Sequence, residues 1–132
     1  MGGVSQAITV TGTDFVARFV RDFDAAAAFY GETLGLECSA RYERVPGAEF
    51  ETGNVTIQIL DSAAIGREFT ASGHPIALHV DDVHEARAAL EDAGVTFHGE
   101  TMDSGVCHMA VFSDPDGNAL LLHNRYAPKD AA

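Results

Sequence analysis

Two stretches of this chain repeat one another: VRDFDAA at residues 20–26 and VDDVHEA at residues 80–86. Val20 matches Val80, Asp22 matches Asp82 and Ala26 matches Ala86. A repeat of this kind constrains a fold strongly, because each copy is one supersecondary unit that must bury its apolar side against a neighbour. Each copy follows a strand-like run, FVARFV or PIALHV, and opens a helix-like stretch that closes on glycine and an apolar residue, Gly35–Leu36 and Gly94–Val95. The second closure comes one residue early.

Local chemistry supports the same division. Asp22 and Asp82 are good N-caps, since a short carboxylate accepts from the unpaired N–H groups of a first helical turn. Phe23, Ala26, Ala27, Tyr30 and Leu34 form one apolar stripe at helical spacing; Val83, Ala86, Leu90 and Ala93 form another. Strand-like segments follow each helix: LECSARYE, AEFET and VTIQIL in the first half, VTFHG, CHMAVFS and NALLLHN in the second. Asp114, Pro115, Asp116 and Gly117 read as the turn of the last hairpin. Residues 61–73 and 100–105 read as a linker and a loop. The expected fold is a single α+β domain over residues 1–132. Two βαβββ modules, about 13–61 and 74–125, form a curved, partly closed mixed sheet around a concave cavity, and a short tail follows at 126–132.

Side chains alternate across a strand, so each strand divides by phase. One phase (Val16, Val20, Val55, Ile57, Ile59, Ile76, Leu78, Val80, Leu120, Leu122) is aliphatic and suits packing beneath the helices; Arg18 interrupts it without an evident partner. The other carries Phe15, Ala17, Phe19, Thr56, Gln58, Leu60, Pro75, Ala77, His79, Ala119, Leu121 and His123. Aromatic walls, room beside alanines and sparse polar groups suit a ligand cavity; a second packing face against a partner subunit is the plain alternative.

Composition narrows the guest. The 20 acidic residues against 8 basic ones give a formal charge of −12, which repels nucleic-acid phosphates and anionic membranes alike. A cationic or neutral small molecule is easier to accommodate. Cys38 and Cys107 show no CxxC or Cys/His spacing and read as reduced, partly buried thiols of a cytoplasmic protein. The first ten residues lack the basic and apolar segments of a signal peptide, and no apolar run is long enough to span a membrane. No GxSxG, HExxH or phosphate-cradling glycine loop is present. The acidic side chains read as solvated groups in helices, turns and loops.

The doubled βαβββ pattern, the stretch VRDFDAAAAFYGETLGLE and the closing DPDGN hairpin together resemble the vicinal oxygen chelate superfamily: glyoxalase I, ring-cleaving dioxygenases, fosfomycin-resistance enzymes and bleomycin-resistance proteins. The resemblance covers nearly the whole chain. It implies a homodimer with cavities near the subunit interface and, in the family's enzymes, a divalent ion held by His, Gln or Glu from four strand positions. Transferred through the motifs, those positions are Phe15, Gln58, Pro75 and Leu121, of which only Gln58 has a donor atom. His74 lies one residue from the third position, and a displaced site from His79, His123 and Gln58 would lack a carboxylate.

Three functional readings follow. The favoured expectation is metal-independent, cofactor-free binding of a small cationic or aromatic molecule, as in bleomycin-resistance proteins. Its ligand-binding residues are Phe15, Phe19, Gln58, His79, Leu121 and His123. The alternative is a glyoxalase- or dioxygenase-type enzyme with an altered metal site, or acid–base catalysis by a cavity histidine without an ion.

Overall fold

The computed structural model describes residues 7–129. The elements run β1 (Phe15–Val20), α1 (Phe23–Ala28), a π-helical turn (Phe29–Thr33), β2 (Glu37–Arg41), β3 (Gly47–Glu51) and β4 (Thr56–Asp61). After a short 3₁₀ turn at Ala63–Ile65 come β5 (Ile76–His79), α2 (Val83–Asp92), β6 (Met102–Asp103), β7 (Cys107–Ser113) and β8 (Ala119–Arg125). The strands form two four-stranded sheets, ordered β1-β4-β3-β2 and β5-β8-β7-β6. In each, the first strand lies parallel to the last and the other pairs are antiparallel. This is βαβββ twice, an α+β fold whose two sheets are not closed into a barrel. No helix among the described residues is long and apolar enough to cross a membrane.

Both caps form as their residue types dictate. The Asp22 carboxylate accepts from the Ala25 N–H at 3.1 Å and that of Asp82 from the Glu85 N–H at 3.0 Å. Gly35 and Gly94 leave the helices at φ 72° and 96°, a conformation that a Cβ would strain. Between cap and glycine, the first helix departs from a plain α-helix. Its last turn widens, with the Leu34 N–H donating to the Phe29 carbonyl five residues back, at 2.9 Å. The one-residue excess of the first repeat over the second is absorbed here, as a π turn takes up an inserted residue without unwinding the helix. Two adjacent rings are thereby buried in different directions: Phe29 packs toward Phe112 of β7 (6.3 Å between ring centroids) and Tyr30 toward Phe50 of β3 (6.0 Å).

The second module also departs from expectation. The strand expected at 95–99 is only an isolated bridge from Phe97 to Phe112, and the outer strand is Met102–Asp103, inside the stretch expected to be loop. Gly99, at φ 79°, turns the chain, while the Arg87 guanidinium of α2 holds its carbonyl and the Thr101 hydroxyl. Cys107 is buried, but Cys38 is exposed rather than partly buried.

The aliphatic phase is the inner one. Val20, Ile57 and Ile59 from one sheet share a single core cluster with Leu120 and Leu122 from the other. Arg18, unexplained by sequence, joins the modules: it is 3 % exposed, and its guanidinium donates to the carbonyls of Ala119 (3.0 Å) and His74 (3.3 Å). The DPDGN hairpin reaches back the other way. The buried Asp114 carboxylate accepts from the Tyr30 hydroxyl (2.9 Å), the Asn118 N–H and side-chain amide (2.9 Å each) and the Asp116 N–H (3.0 Å). The Asn118 amide also donates to the Phe19 carbonyl, and Asp116 accepts from the N–H groups of Arg21 and Asp22. Burial, then the Asp114 charge, pushes the Tyr30 hydroxyl far above the ordinary tyrosine range, so it stays a donor.

Asn118→Ala strips the Asp114 carboxylate and the Phe19 carbonyl of a donor and leaves the Ser72 N–H without its acceptor. The variant is expected to lose about 3 kcal/mol of stability. Tyr30→Phe, which removes one hydroxyl and keeps the ring, is expected to lose about 1–2 kcal/mol. Urea unfolding midpoints check both.

Candidate functional site

Residues opposite one another in a sheet share a face, so the register locates each expected site residue. On the first sheet Phe15, Ala17 and Phe19 stand beside Thr56, Gln58 and Leu60. Beyond them come Glu51 and Glu49, and then Glu37 opposite Glu51. On the second sheet Ala77 and His79 pair with Leu121 and His123, with Val111 and Met109 beyond. The six expected residues therefore all lie on the face turned away from the core, three on each sheet. Their availability differs. Phe15 is 52 % exposed. The ring of Phe19 is half-buried under the Arg67 guanidinium, 4.6 Å from its centroid. Gln58 and His123 are half-buried, Leu121 is buried, and the His79 imidazole is largely exposed with Nε2 3.3 Å from Asp81.

The face also carries a hydrogen-bond network that the sequence reading missed. Gln58 Nε2 donates to Tyr42 Oη at 2.9 Å, and that hydroxyl donates to Glu49 Oε2. Alongside, Ser39 Oγ and Thr56 Oγ1 each donate to one oxygen of Glu51, the latter at 2.7 Å. The Ser39 and Thr56 hydroxyls hold the Glu51 carboxyl below the ordinary glutamate range. Burial and the bond to Glu49 raise the Tyr42 hydroxyl, against a smaller opposing effect from Gln58. Among the described residues, no ion pair involves Glu37, Glu49 or Glu51. The expectation that acidic side chains sit in helices, turns and loops is thus wrong for β2 and β3. The available signal was the period-two pattern of AEFE, which puts Glu49 and Glu51 on one face and Phe50 on the other.

A chelated ion does not fit this face. Phe15, Pro75 and Leu121 offer no side-chain donor atom, which leaves the Gln58 amide oxygen alone among the four positions; its Nε2 donates to Tyr42. His79 and His123 are register partners on adjoining strands. Among the described residues, however, no group of three or more His, Cys, Asp or Glu side chains is placed to hold a metal.

Comparison with known proteins agrees with the topology. The model of the Glyoxalase/Bleomycin resistance protein/Dioxygenase superfamily matches residues 12–122. A putative glyoxalase family protein from Bacillus anthracis is similar in structure, with 26% identity, a TM-score of 0.75 and coverage of 91% of this chain and 99% of that one. TnmS3, an antibiotic binding protein from Streptomyces sp. CB03234, is 24% identical with a TM-score of 0.76, covering 89% of this chain and 98% of that one. A lactoylglutathione lyase from Agrobacterium tumefaciens is 21% identical with a TM-score of 0.70, covering 87% and 94%. At such identities the last two show the fold alone. A search of curated protein sequences finds no significant match.

Carbon-detected NMR titration is expected to place the Glu51 carboxyl below an ordinary glutamate. Thr56→Val removes one of its two donors and is expected to move that titration upward.

Proposed function

Because the chain belongs to the Glyoxalase/Bleomycin resistance protein/Dioxygenase superfamily, we propose that it binds a small cationic, aromatic-bearing molecule on this open face, without a metal ion, as bleomycin-resistance proteins sequester a drug. One observation carries the reading. Two carboxylates, Glu49 and Glu51, are fixed by hydrogen bonds on the same face as the exposed ring of Phe15, and neither has a basic partner among the described residues. A cationic guest gains attraction to such a surface, and the ring adds stacking or cation–π contact.

Roles follow from position. Phe15 and Leu121 supply apolar wall, with Phe19 beneath Arg67 at the edge. Gln58, His79 and His123 orient polar groups of the guest. Glu49 and Glu51 oppose its charge. A homodimer encloses the guest between open faces, an arrangement supported by the exposed hydrophobic side chains of Phe15 and, on the second sheet, Met102. The similarity to an antibiotic binding protein supports a small-molecule guest.

Calorimetric titration with bleomycin-type and other cationic aromatic compounds tests the proposal. Saturable binding that weakens with added salt is expected, because exposed charges are screened. Phe15→Ala is expected to weaken it about tenfold, ~1.4 kcal/mol. Glu51→Gln is expected to weaken it and to flatten its salt dependence. Absence of any binding tighter than roughly millimolar overturns the reading.

A further inference from the structure

A sizeable cavity lies elsewhere. About 610 Å³ of space sits between the modules on the inner, helix-facing side. Its walls come from β1 and β4 (Val16, Ile57), from β5 and β8 (Ile76, Leu78, Leu122) and from α2 (Ala89). Of the six open-face residues only His79 borders it, and with its imidazole 69 % exposed that residue stands at the rim. In a chain with 20 acidic and 8 basic residues, no Asp, Glu, Lys or Arg among the described residues lines this cavity, nor does any Phe or Tyr.

The internal repeat explains why the space is there. Counting from the matched valines and caps, Leu78 corresponds to Arg18, Val80 to Val20, Ala89 to Phe29 and Leu90 to Tyr30. In the first module every member of that set is at most 8 % exposed: the Arg18 guanidinium spans to the second module, and the two rings fill the core. In the second module the same places carry an aliphatic side chain for the guanidinium, an alanine for one ring and a leucine for the other. Ala89 is exposed, Leu78 and Val80 are half-buried, and Val16 across the gap is 37 % exposed. The quasi-symmetric fold therefore plugs one of its two equivalent places and leaves the other open. Unfilled apolar volume forfeits dispersion contacts, and this volume lies within the roughly 300–1,000 Å³ of ordinary ligand sites.

We infer that the cavity between the modules is a second binding site, distinct from the open face, for a neutral aliphatic molecule or alkyl chain. The walls choose the class: hydrocarbon without rings favours flexible or alicyclic guests over planar aromatic ones, and the lack of charge disfavours ions, whose desolvation nothing would offset. Thr33, Thr52, Asn54 and His79 supply the polar groups at its border for a hydroxyl or carbonyl end.

The test uses 1-decanol as probe, followed through the methyl NMR signals of the whole protein. Saturable shifts are expected at Val16, Ile57, Ile76, Leu78 and Leu122, with none at Val111 or Met109. Ala89→Phe places in the second module the residue that the first uses at Phe29; it is expected to weaken decanol binding at least tenfold and to leave binding of cationic aromatic compounds unchanged. Leu78→Phe, at a half-buried position, narrows the same space from the strand side and is expected to act likewise should Ala89→Phe fail to fold. The inference is overturned by decanol failing to saturate these signals, by shifts confined to the open face, or by both variants binding it as the parent does. Loss of open-face binding in Phe15→Ala with decanol binding intact separates this site from the proposed function.

Discussion

The Asp114 carboxylate is the interaction on which the arrangement of the two modules rests. It is buried, and a buried charge persists only where donors replace the water it has lost. Four do: one hydroxyl from the first module, and three N–H donors from its own hairpin. The same hairpin reaches the end of β1 through Asn118 and the start of α1 through Asp116, while Arg18 returns the connection from β1 to β8. Polar groups thus fix the relative placement of two units whose apolar contact alone, being non-directional, sets no unique angle. With the modules held in this way, the inner faces merge into one core and the outer faces stay open.

That division gives the molecule two surfaces of opposite chemistry. The open face combines an exposed phenylalanine with two carboxylates that hydroxyl donors hold in place, so it offers negative potential beside a ring. The space between the modules is lined mainly by aliphatic side chains, with no Asp, Glu, Lys, Arg, Phe or Tyr among the described residues. Both arise from the same doubled unit. Strand alternation separates the faces, and unequal side chains at equivalent repeat positions, Phe29 against Ala89 and Arg18 against Leu78, decide which inner place is full.

Much of this was legible in the sequence, and what was not has identifiable causes. The repeat, the aspartate caps and the phase alternation depend on neighbours close in the chain, so the βαβββ units and their inner and outer faces could be read directly. The missing residue in the second repeat was visible too, but a sequence records only the count; the π turn is the three-dimensional way of storing it, chosen because Phe29 and Tyr30 must reach different sheets. Arg18 looked anomalous because its partners are backbone carbonyls at His74 and Ala119, far along the chain. Glu49 and Glu51 went unnoticed because β3 is a short strand whose alternation yields its meaning only beside Gln58 and Thr56. The outer strand of the second module is short and set after a glycine turn, beyond the reach of a propensity argument.

The proposed function rests on the four strand positions that the resemblance assigns to an ion, where Phe15, Pro75 and Leu121 bring no side-chain donor and only Gln58 does, and on a guest being bound there without an ion. Elemental analysis of the protein purified without chelators, and again after dialysis against zinc, manganese and iron(II), tests this most directly. Well under one ion per chain is expected for each metal, with guest affinity unchanged by chelator. One tightly held ion per chain, lost on replacing His79 or His123 and required for binding or turnover, would contradict it.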